Sequence, residues 1–66
     1  MDAKDVLDSI AAELDRHVAT IGRIQTDPYA GASIQALNLG TQAQAATAAM
    51  QTAAAQLRGI ANALTQ

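Results

Sequence analysis

The fold of this chain is decided by residues 28–66, PYAGASIQALNLGTQAQAATAAMQTAAAQLRGIANALTQ. This stretch contains one charged residue, Arg58, whereas the other nine charges of the chain lie in the first 27 positions. Alanine, glutamine and leucine favour a helix, but a helix on a protein surface normally turns a charged face to water. The sequence therefore predicts helical structure that is covered by other protein, either further copies of the chain or a partner.

The size of the chain limits what it can do alone. Its 66 residues allow one domain, and a chain of this size buries only about 60% of its unfolded surface. There is no cysteine for a disulfide, and the lone His17 with scattered carboxylates gives no ligand set for zinc or calcium. We therefore expect no metal and no cofactor, which leaves oligomerisation as the source of additional stability.

Charge and amide content exclude two kinds of partner. The net charge is −2, and the four basic residues are too few and too scattered for the basic stripe that nucleic acids require. The glutamine side chains of the second half argue against a membrane-spanning segment. The first residues lack the cationic and apolar regions of a signal peptide. We expect a protein made in the cytoplasm, with any export following a route that uses no signal peptide.

The first helix is predicted at residues 3–25. Asp2 is in position to be the N-cap, and the acidic residues at 2, 5 and 8 suit the positive end of the helix dipole. Large apolar residues recur at intervals of three and four, which predicts a seam for packing against another helix at a shallow angle. His17 and Ile24 belong to the same seam. The residues predicted to close the core of a hairpin are Leu7, Ile10, Leu14 and Ile21.

An Asp-Pro turn at residues 26–28 is predicted to end the first helix, because proline disfavours the helical conformation of Asp27. Pro28 suits the first position of a new helix that is capped by the Asp27 carboxylate. The chain is thus predicted to be one all-α domain, residues 1–66. It is a two-helix hairpin whose long alanine-rich second helix runs from residue 28 to residue 64.

The length of this second helix leaves an alternative open. A continuous helix would be about 55 Å long, against about 30 Å for the first helix, and would extend past its neighbour in a monomer. The alternative is a break at Asn38-Leu39-Gly40, after which Thr41 and Gln44 have the spacing of a capping box. Gly40 alone does not decide between them, since it costs a continuous helix only about 1 kcal/mol.

The second helix is also where self-association is expected. Its three–four spacing continues without a polar residue, but the middle of the seam is nearly all alanine. Small side chains gain energy through close approach of backbones, which requires a well-fitted neighbouring helix. We therefore expect a homo-oligomeric helical array. The residues predicted for self-association are Leu39, Ala43, Ala46, Met50, Ala53, Leu57, Ile60 and Leu64.

Two single residues have competing interpretations. His17 follows Glu13 by four residues, so the two side chains fit a metal or pH-sensing pair, although we favour a packed or interface-edge histidine. Tyr29, the only aromatic residue, is either a recognition hot spot or, as we favour, a cap on the hairpin end of the core. The sequence shows no nucleophile–base pair, phosphate-binding loop or paired carboxylates, so we expect no enzyme.

The order of a short acidic helix, the Asp27-Pro28 turn and a weakly charged helix ending in Leu57, Ile60 and Leu64 resembles the small subunits of type III secretion needles and inner rods. The resemblance covers most of the chain in architecture, but only these residues in sequence. It implies a bacterial subunit that polymerises into a hollow tube. The partners it implies, besides copies of the chain, are a helical chaperone or another component of the secretion apparatus.

The predicted function is therefore a structural, self-assembling subunit that polymerises through its alanine-rich C-terminal helix into a filament or tube. The resemblance would place that filament in a protein secretion apparatus. The alternative is a small helical adaptor or chaperone, which would act as a dimer resembling a four-helix bundle or as a 1:1 complex with one partner.

Overall fold

Most of the described part of the chain is helical. The computed structural model describes residues 2–64, and its helices are α1, Ala3–Thr26; α2, Ala30–Ala36; and α3, Gly40–Leu64. The molecule measures 48 × 17 × 12 Å, the shape of two long helices side by side with a short helix at the turn. The predicted all-α class is confirmed.

The N-terminal end of α1 is stabilised by side chains close in sequence. Asp2 is the N-cap, and its carboxylate accepts a hydrogen bond from the backbone N–H of Lys4 at 3.3 Å. The Lys4 ammonium donates to the Asp8 carboxylate at 2.6 Å, one turn further on. These contacts place the start of the helix where the acidic residues suit the helix dipole.

Asp27 organises the turn that follows α1. Its backbone is extended, with φ −67° and ψ 134°, which is the conformation that proline imposes on the residue before it. The Asp27 carboxylate then accepts hydrogen bonds from the backbone N–H groups of Tyr29 at 3.0 Å and Ala30 at 2.8 Å. Pro28 lacks an N–H and therefore leaves no donor unsatisfied at the start of this turn. The Asp27 carboxylate therefore accepts from this turn as predicted, but α2 begins at Ala30 and not at Pro28.

The second helical region is broken, so the predicted continuous helix from residue 28 to residue 64 is wrong. Asn38 has a left-handed φ of 58°, which its short polar side chain tolerates better than most residues do. The Leu39 N–H donates to the Ile34 carbonyl at 2.8 Å, and the Asn38 N–H donates to the Gln35 carbonyl at 3.1 Å. This pair of hydrogen bonds is the Schellman motif that ends helices. The structure therefore has the alternative arrangement, in which the helix is interrupted at residues 37–39.

The start of α3 differs in detail from that alternative. The Leu39 carbonyl accepts a hydrogen bond from the Ala43 N–H at 3.0 Å, and the helix begins at Gly40. Thr41 therefore lies inside the first turn, not at the cap, and the capping box expected from Thr41 and Gln44 is wrong. The turn that ends α2 also sets where α3 begins.

Gly31 lets α2 pack against the end of α1. It is buried, and a Cβ atom at this position would lie 2.1 Å from the carbonyl oxygen of Gln25 and 2.9 Å from its carbonyl carbon. Contacts this short to backbone atoms cannot be relieved by rotating a side chain. A residue without a side chain is therefore required at position 31.

α1 and α3 are antiparallel helices of nearly equal length. They contain 24 and 25 residues, which corresponds to about 36 and 38 Å. Gln25, near the end of α1, and Gln44, near the start of α3, line the same cleft of about 170 Å³. The expectation that the second helix extends past the first is therefore wrong, because the break at residues 37–39 shortens it to match α1.

Candidate assembly surface

The contact between α1 and α3 is made by small residues. Ala11, Ala54 and Ala61 are 0%, 1% and 0% exposed, and no large side chain within residues 2–64 is fully buried. Alanine permits the two backbones to approach closely. These residues belong to a line of residues spaced by seven, which we call the inner stripe. The inner stripe consists of Ala11, Val18 and Gln25 on α1 and of Gly40, Thr47, Ala54 and Ala61 on α3.

Apolar residues, all but Ala43 larger than alanine, lie beside the inner stripe and are only half-buried. They occur three residues after inner-stripe positions, and we call them the middle stripe. Its members are Leu7, Leu14 and Ile21 on α1 and Ala43, Met50 and Leu57 on α3. The opposite helix covers the side of each residue that adjoins the inner stripe. The rest of each side chain therefore faces away from the contact between the helices.

Beyond the middle stripe lies a third line of residues, the outer stripe, which is mostly exposed. Each of its members directly precedes an inner-stripe position. The outer stripe consists of Ile10, His17 and Ile24 on α1 and of Leu39, Ala46, Ala53 and Ile60 on α3. Its four large apolar side chains are between 40% and 51% exposed, and Ala53 alone among its members is half-buried. A third apolar line on each helix makes the apolar surface wider than one hairpin contact can cover.

The two outer stripes lie on the same broad face of the hairpin. The Arg58 guanidinium donates a hydrogen bond to the Asp15 carboxylate, which links the two helices. Asp15 and Arg58 directly follow the middle-stripe residues Leu14 and Leu57, so this ion pair marks the face on which such positions meet. The outer stripes flank the contact on its other side and meet on the opposite face. We call these the ion-pair face and the apolar face.

The residues predicted to close the core of the hairpin divide between two stripes. Leu7, Leu14 and Ile21 are half-buried in the middle stripe, but Ile10 lies on the outer stripe and is exposed. Its predicted place in the core is wrong. Ala11 occupies the contact instead, because a small side chain there lets α3 approach closely.

The residues predicted for self-association divide between two stripes. Ala43, Met50 and Leu57 are half-covered by α1 in the middle stripe. Leu39, Ala46, Ala53 and Ile60 form the outer stripe of α3, and Leu64 is exposed at the end of the helix. Contact between these residues and another copy remains a prediction. The inner-stripe alanines were missed, and the repeat of small residues at intervals of seven was the signal for them.

His17 and Tyr29 are both exposed. The Arg16 guanidinium lies 3.6 Å from the Glu13 carboxylate, and this ion pair is on the side of α1 that faces away from α3. Within residues 2–64, no group of three or more histidine, cysteine or acidic side chains is placed to hold a metal ion. Tyr29 is 85% exposed, so its favoured role as a cap on the core is wrong. The turn after Asp27 places it outside the contact, and Ile34 packs inward from α2 instead.

The charged groups of the hairpin are concentrated away from the outer stripe of α3. The hydrogen bond from Lys4 to Asp8, together with the negative charge of Asp8, raises the pKa of the Lys4 ammonium above its usual value. Asp8 directly follows Leu7, so this ion pair belongs to the ion-pair face. From Gly40 to Leu57 the chain carries no charge. The α3 half of the apolar face therefore has no charged side chain between these residues.

Comparison with known proteins adds no relative. No family model, curated protein or solved structure matches this chain. Among residues 2–64, no helix is both long and apolar enough to cross a membrane. The arrangement of side chains on the hairpin is therefore the basis for a functional proposal.

Proposed function

We propose that this protein is a structural subunit that acts by assembling with copies of itself. The observation that carries the proposal is the apolar face, on which a half-buried middle stripe adjoins an exposed outer stripe. A contiguous apolar surface of this kind is typical of a protein–protein interface. The residues that would form it come from both long helices, so the surface exists only in the folded hairpin.

The total exposed surface supports this proposal. The accessible surface of the hairpin is 4689 Å², whereas a folded monomer of 6.8 kDa is expected to expose about 3,950 Å². The hairpin therefore exposes roughly 700 Å² more than a compact monomer of its mass. Covering one broad face with protein would remove an area of this order.

Growth into a filament or tube needs a second surface, since a face that pairs with itself closes a dimer and stops. The candidate is the outward side of α3, which carries no charge between Gly40 and Leu57. Its exposed residues are Ala45, Ala48, Thr52 and Ala55. Our proposal includes this side as the contact that joins assembled units into a filament, of the kind that the resemblance to needle subunits implies.

Sedimentation velocity over a wide range of protein concentration, followed by negative-stain microscopy, tests the proposal. We expect the mean mass to rise with concentration and elongated particles to appear. Ala48→Glu should remove the largest species, whereas Ser9→Glu, an equal change of charge on the outward side of α1, should not. A compact monomer of 6.8 kDa at millimolar concentration would overturn the proposal.

The same apolar face also supports a second candidate, an adaptor that docks one partner protein. The hairpin has one apolar face and one face with ion pairs, which suits a single docking contact as well as self-assembly. The sedimentation experiment separates the two candidates. An adaptor would remain one discrete species at all concentrations, either a dimer or a 1:1 complex with its partner, whereas the mean mass of a polymerising subunit would keep rising.

A further inference from the structure

The excess surface of the hairpin is on the scale of a stable protein–protein interface. The hairpin exposes roughly 700 Å² more than a compact monomer of its mass, which is close to the ~800 Å² that each partner of a standard-sized interface contributes. A second hairpin seated on this face would therefore bury enough surface for a specific dimer. It would also cover the exposed half of the middle-stripe residues, whose other half α1 and α3 already cover.

The sizes of the outer-stripe residues restrict how two copies can fit together. On α1 the outer stripe is bulky at Ile10, His17 and Ile24, whereas the α3 stripe is small at Ala46 and Ala53. If α1 lay on α1 of a second copy, bulky residues would meet bulky residues and alanines would meet alanines. The two pairs of helices would then need different spacings. If α1 lies on α3 of the second copy, His17 and Ile24 meet the small Ala53 and Ala46 at both contacts.

The heights of these residues along the hairpin agree with the second arrangement. Counting from the Asp15–Arg58 ion pair, Ile24 lies nine residues further along α1 and is level with residue 49 of α3. Ala46 is three residues from that level, which is within one helical turn. His17 is level with residue 56 and is likewise within one turn of Ala53. A twofold axis parallel to the helices preserves these levels and would bring Ile24 and His17 over alanines of the second copy, whereas Ile10 would lie over Ile60 at the end of the bundle.

Charge is compatible with the same arrangement. The outer stripe of α3 carries no charged residue, and the Glu13–Arg16 ion pair of α1 lies outside the outer stripe of that helix. Placing α1 over α3 of a second copy therefore brings no like charges together. The ion-pair faces of both copies would remain on the outside, in contact with water.

We propose that two copies pair through their apolar faces, with α1 of each copy lying on α3 of the other, to form a twofold-symmetric four-helix bundle. This inference rests on the proposed self-assembly and identifies its first step and its partner, a second copy of the chain. The middle stripes of all four helices become the centre of the bundle, and the outer stripes close its seams. The inner-stripe alanines hold each hairpin together on either side of that centre.

Mass measurement of charge variants tests the pairing of the apolar faces. Wild type should reach a stable mass of twice 6.8 kDa at micromolar concentration. Ile24→Glu should weaken dimerisation by at least about a hundredfold, because the symmetric bundle would bury two unpaired carboxylates. Gln51→Glu adds the same charge on the ion-pair face and should leave the dimer intact. Equal dimerisation of the two variants would overturn the inference.

A packing variant removes the possibility that the added charge acts only by unfolding the hairpin. Ala46→Leu keeps the face apolar but fills the space that Ile24 of the second copy would occupy, so dimerisation should weaken by about tenfold. Ala48→Leu makes the same change on the outward side of α3 and should have no such effect. Circular dichroism of all four variants should show unchanged helix content. A dimer strengthened by Ala46→Leu would contradict the bulky-on-small arrangement.

Cysteine cross-linking tests which helices meet, since the chain has no cysteine of its own. Ile24→Cys chains mixed with Ala46→Cys chains should form a disulfide-linked pair on mild oxidation. Ile10→Cys mixed with Ile24→Cys should not, and preferential linkage of that pair would show α1 lying on α1. Large assemblies that persist in Ile24→Glu would overturn this inference alone, whereas a wild-type monomer at every concentration would overturn the proposed function as well.

Discussion

Replacing Gly31 with alanine should destabilise the hairpin although alanine is the better helix former. The added Cβ would lie 2.1 Å from the carbonyl oxygen of Gln25, more than 1 Å inside ordinary contact distance. The Gln25 carbonyl belongs to the last turn of α1 and Gly31 to the first turn of α2, so α2 must move away from the end of α1. Overpacking of this kind costs about 1–3 kcal/mol, which exceeds the gain of up to about 1 kcal/mol from helix propensity.

The measurement is urea and thermal unfolding followed by circular dichroism at one fixed protein concentration. For a domain of this size, the expected net loss corresponds to a fall in Tm of roughly 5–15 °C. Gly59→Ala is the matched control, because Gly59 is exposed within α3 and a Cβ there would meet nothing within 4 Å. That variant should gain about 0.5–1 kcal/mol in the free energy of unfolding.

The two variants together separate sterics from propensity. A Gly31→Ala protein as stable as the Gly59→Ala protein would show that α2 does not pack against α1 as described. A loss of stability in both variants would show that the flexibility of glycine, and not the close approach, matters at position 31. The same glycine-to-alanine change should lower the free energy of unfolding at position 31 and raise it at position 59.

Three further predictions concern the caps and the charges. Asp27→Ala should lower the free energy of unfolding by about 1 kcal/mol, because two N–H groups lose their acceptor. Thr52 is exposed, and in urea unfolding Thr52→Ala should change the free energy of unfolding by less than half as much. Equal losses in the two variants would refute the capping role of Asp27. Asn38→Gly should keep or raise stability while Asn38→Val lowers it by about 1–2 kcal/mol, owing to the left-handed backbone; equal Tm values would contradict this. The raised pKa of Lys4 means that its contact with Asp8 contributes to stability below pH 10.5 and that this contribution is lost as the pH rises through the folded-state pKa. The stability difference between wild type and Lys4→Met should therefore be constant from neutral pH up to 10.5 and shrink above it, and a difference that grew as the pH rose beyond 10.5 would refute the assignment.

The sequence predicts the ends of the elements well where a local side chain determines them. Asp2 caps α1, and Asp27 with Pro28 ends it and caps the next turn, since both signals act within three residues. The break after α2 was harder to predict, because it depends on Asn38 adopting a left-handed conformation that asparagine tolerates but does not require. Gly40, the residue that suggested a break, is not the one that makes it.

The prediction placed the hairpin contact one stripe too far out on both helices, and for the same reason on each. The expectation joined the middle stripe to the outer stripe, Leu7 to Ile10 and Leu57 to Ile60, because these positions carry the largest apolar residues. The hairpin contact instead joins the middle stripe to the inner stripe, where Ala11 and Ala61 are fully buried. Periodicity shows that a residue lies on an apolar surface, but it does not show which side of that surface a short neighbouring helix covers.

The observed position of the contact also leaves part of the apolar surface of the hairpin uncovered. Because the middle stripe is the centre of the apolar surface, a contact on its inner side alone leaves that surface half-covered. The break at residues 37–39 makes the remaining half usable, since it gives α1 and α3 the same length and therefore places their outer stripes side by side on one flat face. A continuous second helix would have carried part of its outer stripe past the end of α1, where no second stripe adjoins it. If that face is covered by a second copy, folding and assembly are linked, and each tenfold rise in concentration should add about 1.4 kcal/mol to the stability of the dimer.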